Sequence, residues 1–227
     1  MSEIIGDAFT YLNDPLSWTG SGGILQLLGD HLWMTLAAVV LAAVVALPLG
    51  LWLGRTGRGD TLVGAVNLTR ALPTLALLYI FTAGLGVGQT PTILAVAVFA
   101  VPPILANTVT GLRAVDPAAR DAGLGMGMSP ARLLTAVELP LALPLVAAGV
   151  RTAVVQVIAT VSLAALAGGG GLGLVITNGI FTQRFGQALA GALLVVVVCL
   201  AVEGLLALAQ RALTPAPLRV TAAGRAA

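Results

Sequence analysis

Five apolar stretches separated by short polar turns leave this chain few ways to fold. They run from about Leu32 to Leu53, Leu62 to Leu85, Thr92 to Leu112, Leu141 to Leu166 and Ala188 to Ala209. A bilayer's hydrocarbon core, about 30 Å thick, takes about 20 apolar residues of helix to cross. Inside lipid each backbone N–H and C=O must find its partner within its own segment or a closed barrel. The expectation is an all-α integral membrane protein of about five transmembrane helices. Composition agrees, since 58% of the 227 residues are hydrophobic and 9% are charged, against about 25% charged in soluble domains. Trp33 and Trp52 bracket the first stretch nineteen residues apart, about 28 Å of helix. Both suit the aromatic belts at the two interfaces.

The charges exclude some functions and orient the rest. All 11 basic residues are Arg. A phosphate-binding P-loop needs G-x-x-x-x-G-K-[ST], so the chain has no Walker A site, and no enzymatic ATP hydrolysis is expected of it. Cys199 lies alone in an apolar run, which leaves no disulfide and no cysteine metal cluster. The first thirty residues hold Glu3, Asp7, Asp14 and Asp30 and no basic residue. No basic n-region precedes an apolar core there, so no cleaved signal peptide is expected. With five spans, Arg55, Arg58, Arg113, Arg120, Arg132, Arg211, Arg219 and Arg225 fall on one side of the membrane. The other side receives the acidic N-terminus, the neutral 84–91 turn and Arg184. The positive-inside rule then puts the N-terminus outside and the C-terminus in the cytoplasm. A sixth crossing within 168–186 would reverse the tail and ranks lower. The implied division is an extracytoplasmic segment 1–30, a membrane domain 31–210 with a cytoplasmic loop 113–140, and a cytoplasmic tail 211–227.

That loop holds the most structured polar stretch, Asp116 to Pro140. Asp116 is a good N-cap, and Pro117 fits the first helical position, where a missing N–H costs nothing. Ala118 to Ala122 favour helix, and Gly123, Gly125 and Gly127 are expected to end it. Ser129-Pro130 repeats the start signal, and a second helix is expected to stop at Pro140. Met126 and Met128 offer soft apolar contacts on the turn. A helical hairpin set between spans reads as a docking surface.

The same stretch resembles the signature of permease subunits of bacterial ABC importers: EAA, three residues, Gly, nine residues, Ile-x-Leu-Pro. Here it reads Asp121-Ala122-Gly123, Gly127 and Val137-Glu138-Leu139-Pro140, with both gaps kept. Asp replaces Glu, Gly the second Ala, and Val the Ile. The resemblance implies a methionine-importer-permease-like core whose loop inserts a short coupling helix into a cytoplasmic ABC ATPase. The docking residues it implies are Asp121, Ala122, Gly123, Gly125, Met126, Gly127, Met128, Leu139 and Pro140. Asn67 to Leu78, Ile104 to Leu112, Gly168 to Gly173 with Gly179-Ile180, His31-Leu-Trp33 and Gly125 to Met128 resemble the osmoprotectant branch. That branch imports glycine betaine, carnitine, choline or proline betaine. The likeness covers about residues 28–210. It implies a second permease subunit, identical or related, and a separate extracytoplasmic substrate-binding protein in a bacterial inner membrane. ATP and Mg would be used by the ATPase, with no cofactor held by this chain; membrane lipid is a further partner, and no nucleic acid is expected.

Polar groups within spans face protein or a water-filled cavity, because lipid exposure of Arg costs about 2.5–3.5 kcal/mol. Arg70, Pro73, Asn107 and Thr108 are therefore candidates for the translocation pathway. Snorkelling of Arg70 and an interhelical hydrogen bond from Asn107 are the plainer readings. Arg151 and Glu203 sit at matching depths in the fourth and fifth spans and are expected to pair. His31 reads as an interfacial residue. Gly168 to Gly173 satisfies G-x-G-x-x-G, but a dinucleotide site needs a preceding strand, so a flexible outer connection is the better reading, with a tight glycine turn between spans as the plainer one. Two rival functions remain open: an importer permease for methionine or another amino acid, and an ion-coupled secondary transporter, which would want intramembrane acids and paired repeats.

Overall fold

The computed structural model describes residues 1–57 and 59–213, which contain helices and no strand. In chain order the helices are α1 (Ser2–Asn13), α2 (Pro15–Trp18), α3 (Ile24–Thr56), α4 (Gly59–Asn67), α5 (Thr74–Leu85), α6 (Gln89–Arg113), α7 (Pro117–Gly125), α8 (Pro130–Leu133), α9 (Leu139–Val161), α10 (Gly173–Phe181) and α11 (Phe185–Leu213). Among the described residues four segments are long and apolar enough to cross a membrane: α3, α6, the run Pro130–Ala167 and α11.

The second apolar stretch is broken where its sequence is polar. A 3-10 turn, Leu68–Ala71, follows α4, and Leu72 and Pro73 are extended. The residue before a proline is pushed out of the helical region, so α5 starts only at Thr74. Its 12 residues span about 18 Å. At nine residues, about 14 Å of helix, α10 is too short for a sixth crossing.

Helix α6 occupies the centre, with 67% of its apolar window buried against 33% for α3 and 0% for α11. The cause lies in a stripe of small residues. Ala38, Ala42, Ala46, Gly50 and Gly54 recur at every fourth position of α3, and all are buried. Residues four apart share one helix face, so this face is nearly smooth and α6 lies close against it. A Cβ on Gly50 would stand 2.7 Å from that of Thr108, and one on Gly54 2.9 Å from that of Leu112. On the other side of α6, Gly149 of α9 meets Asn107 at 2.6 Å in the same sense. Lipid supplies no hydrophobic force between helices, so close packing of this kind holds α3, α6 and α9 together.

The boundary at residue 30 falls inside α3, which starts at Ile24. Residues before it form α1 and α2; Tyr11, Leu12 and Trp18 pack with Ile24, Leu27, Leu172 and Val175. His31 is wholly buried within the fold, and its Nε2 lies 3.0 Å from the carbonyl of Ile158. Carbonyls in the last turn of a helix lack full helical partners, and an imidazole N–H answers one of α9's.

The glycine-rich connection is packed tightly. Gly168, Gly170 and Gly171 have φ of 76°, 88° and 73°, where side chains are strained. A Cβ on Gly169 would lie 2.1 Å from the hydroxyl of Thr92, and one on Gly173 1.9 Å from the carbonyl of Ser162. These glycines let the chain fold back against α6 and the end of α9, as a tight glycine turn between spans requires.

Candidate functional site

The segment between α6 and α9 is a compact hairpin whose turns are set by local chemistry. Asp116 Oδ1 accepts from the N–H of Ala118 at 2.9 Å, capping α7 ahead of Pro117. Helix α7 continues past Ala122 to Gly125. It ends where Gly127 N–H donates to the Leu124 carbonyl (2.9 Å) and Met128 N–H to that of Gly123 (3.2 Å). This Schellman pair requires a left-handed residue, and Gly127 supplies it at φ 76°. Ser129 Oγ then accepts from Arg132 N–H at 3.4 Å and Pro130 opens α8.

Pro140 does not stop the second arm. A π turn, Leu134–Glu138, follows α8 directly, and Leu139 N–H reaches back to the Leu134 carbonyl. Pro140 sits in the first turn of α9. Where the ladder changes register from π to α, its missing N–H and ring are accommodated. Hairpin arm and fourth span are therefore one run of 38 residues, Pro130–Ala167.

The candidate docking residues divide by exposure. Asp121, Ala122, Gly125, Met126, Gly127 and Pro140 are exposed, Met128 and Leu139 half-buried, and Gly123 buried. A Cβ on Gly123 would stand 2.6 Å from Leu133 Cδ1. Glycine at the second Ala position thus lets the two arms close on each other. Leu124 and Met126, 53% and 70% exposed, give the tip an apolar surface.

The residue that sequence reasoning missed is Glu138. It is only 3% exposed. One carboxylate oxygen lies 3.0 Å from Arg55 Nε and the other 3.0 Å from Arg120 Nε. Arg55 also donates to the Pro130 carbonyl at 3.1 Å, and Arg120 to that of Leu112. The acid comes from the π turn, and the cations come from the last turn of α3 and from α7. An acid set in the apolar run Val137-Glu138-Leu139 was the available signal.

Arg151 and Glu203 are brought together: Arg151 Nε donates to Glu203 Oε1 at 2.6 Å, and its Nη2 contacts the same oxygen. Arg151 Nη1 also reaches Gln210 at 3.3 Å, and Gln210 donates to the Pro144 carbonyl at 2.9 Å. The pair is about a third exposed. It lines an open groove of about 480 Å³ with Ala148, Thr152, Val155 and Gln156.

The candidate pathway residues are scattered. Thr108 is wholly buried at the α3–α6 crossing, its hydroxyl donating to the Ile104 carbonyl at 2.7 Å. Satisfied within its own helix, it packs on Gly50 rather than on an open wall. Asn107 is half-buried and donates to the Pro103 carbonyl at 2.9 Å. Pro73 is exposed at the start of α5, and Arg70 lies in the preceding 3-10 turn with its side chain outside the described residues. Arg58, Arg219 and Arg225 also lie outside them.

Residues 46–215, which include the hairpin and all three core helices in whole or part, match the family described as binding-protein-dependent transport system inner membrane component. The chain belongs to this family. Over 202 residues, 88% of this chain and 93% of the relative, it is 41% identical to the choline transport system permease protein OpuBB of Bacillus subtilis (strain 168). It is 39% identical, with the same coverage, to the glycine betaine/carnitine/choline transport system permease protein OpuCB of that organism. Its fold is similar to a chain in an inward-facing structure of the MetNI methionine ABC transporter, with a TM-score of 0.74 at 22% identity, covering 85% of this chain and 96% of that one. The chain is thus an inner-membrane permease component of the ABC importer class.

Proposed function

We propose that this permease carries small quaternary ammonium osmoprotectants of the glycine betaine, carnitine and choline type. The observation that carries the reading is likeness along nearly the whole chain to permeases named for those solutes. Two permease subunits, identical or related, enclose the path. A cytoplasmic ATPase hydrolyses Mg-ATP, and an extracytoplasmic binding protein delivers the solute. The N-terminus lies outside and the hairpin in the cytoplasm, as the arginine distribution requires.

Asp121, Ala122, Gly125, Met126 and Gly127 form the surface offered to the ATPase, with Gly123, Met128, Leu139 and Pro140 shaping it from behind. Because the second arm runs unbroken into α9, closure of the ATPase dimer tilts that span as a rigid body. Aromatic residues make up 4% of the chain, so the cation–π cage suited to a quaternary ammonium group belongs to the binding protein. Within this chain the groove beside Arg151 and Glu203 is the better candidate for a pathway wall, with Asn107 and Pro73 secondary. Charges inside a span face protein or water.

Uptake of labelled glycine betaine, choline, carnitine and methionine by a deletion strain carrying this chain and its partner subunits tests the assignment. Accumulation of the first three but not methionine is expected. Methionine uptake alone would overturn it.

A further inference from the structure

We propose that Glu138 is a positioning residue that locks the cytoplasmic end of the first span to the coupling hairpin, so that α3 moves with α6 and α9. The inference rests on the hairpin being the site where an ATPase pushes. Chain connectivity alone carries such a push into α6 and α9, which the hairpin joins, and leaves α3 out.

The side chains close that gap. Glu138 projects from the π turn into a buried position, and each of its oxygens meets a different guanidinium at 3.0 Å. Arg55 belongs to the last turn of α3, and it grips the hairpin twice, at Glu138 and at the Pro130 carbonyl. Arg120 belongs to α7 and also donates to the carbonyl of Leu112 in the last turn of α6. One carboxylate thus gathers the ends of α3 and α6, the helix α7 and the start of α9. At the same level Gly54 lets α3 pack directly on Leu112, and Leu112, Val115 and Ala142 form a small apolar core with Leu51, Leu134, Leu141 and Val146.

Electrostatics makes this junction a latch rather than a sliding contact. Close packing of α3 on α6 already resists sliding, and a buried carboxylate that leaves its cations is stranded, which adds a directional charge lock to it. Two guanidiniums around one carboxylate also leave the junction with an excess positive charge, so without Glu138 the arginines repel. The π turn supports the role, since it sets the side chain of Glu138 inward and appears in no other described segment.

Spin labels on Thr56→Cys, at the end of α3, and Ala118→Cys, on α7, in a Cys199→Ser background report the latch in the purified permease in lipid nanodiscs. A single narrow distance distribution is expected with Glu138 present and a broad one in Glu138→Gln. Arg55→Gln should broaden it as well, and serves as the test if Glu138→Gln fails to fold. Narrow distributions in both variants would overturn the latch whatever the ATPase does. In the complete transporter Glu138→Gln should still copurify with the ATPase and hydrolyse ATP, while uptake of labelled glycine betaine falls by about ten-fold. Unchanged uptake would overturn the proposed force route. Failure of the unaltered chain to retain any ATPase would instead count against the coupling role of the hairpin.

Discussion

Two arginine–carboxylate clusters among the described residues differ in how they are enclosed. Glu138 is buried, held by two arginines from separate elements at the base of the hairpin. Glu203 is held by one arginine, half-open to a groove between two neighbouring spans. The first ties ends of helices together, and its carboxylate has no water to fall back on. The second is about a third exposed and borders an open groove, so its charges are less enclosed than that of Glu138. On the proposed reading a rigid joint and a polar wall are made from the same two residue types, and burial decides which.

Breaking the joint should have the largest effect. Glu138→Ala leaves two guanidiniums facing an empty site and should destabilise by about 3 kcal/mol, the low end for a broken buried pair because both arginines are about a third exposed. Thermal unfolding of the detergent-solubilised permease measures it. Next comes the turn above the joint: Gly127→Ala puts a Cβ on a left-handed residue and should cost about 1–2 kcal/mol. Gly127→Asp should in addition abolish copurification of the ATPase. Asp116→Ala removes the cap of α7 at a cost of about 1 kcal/mol, read in the same melt. Glu203→Gln should shift the unfolding midpoint least of these. It should alter uptake rather than stability, and Thr152→Cys beside it should react with a membrane-impermeant maleimide. A midpoint shift for Glu203→Gln as large as that for Glu138→Ala would erase the distinction between joint and wall.

The hairpin was the most legible part of the sequence because its determinants are local. Asp116-Pro117, Ser129-Pro130 and Gly127 each act on backbone within a few residues, and they place α7, the turn and α8 without tertiary information. Pro140 misled for the same reason: as a local signal it reads as a stop, but the π turn before it absorbs the missing N–H. The membrane class and most of the spans followed from apolar length alone. What stayed hidden depends on partners far along the chain. The burial of Glu138 depends on Arg55, that of His31 on Ile158, and that of Thr108 on Gly50. The small-residue stripe of α3 was present in the sequence, but its meaning depends on the helix that lies against it. Thr108 and Asn107 drew attention as polar residues in a span, yet their bonds to the preceding turn let the packed bundle accept them.

The central claim is that this chain moves solute only when an ATPase works through its hairpin. Proteoliposomes holding the permease with its copurified ATPase and a liganded binding protein should accumulate labelled glycine betaine when ATP is supplied to the ATPase side. They should accumulate none without ATP, or when the ATPase is left out. Uptake by the permease alone, driven by a sodium or proton gradient, would contradict the account.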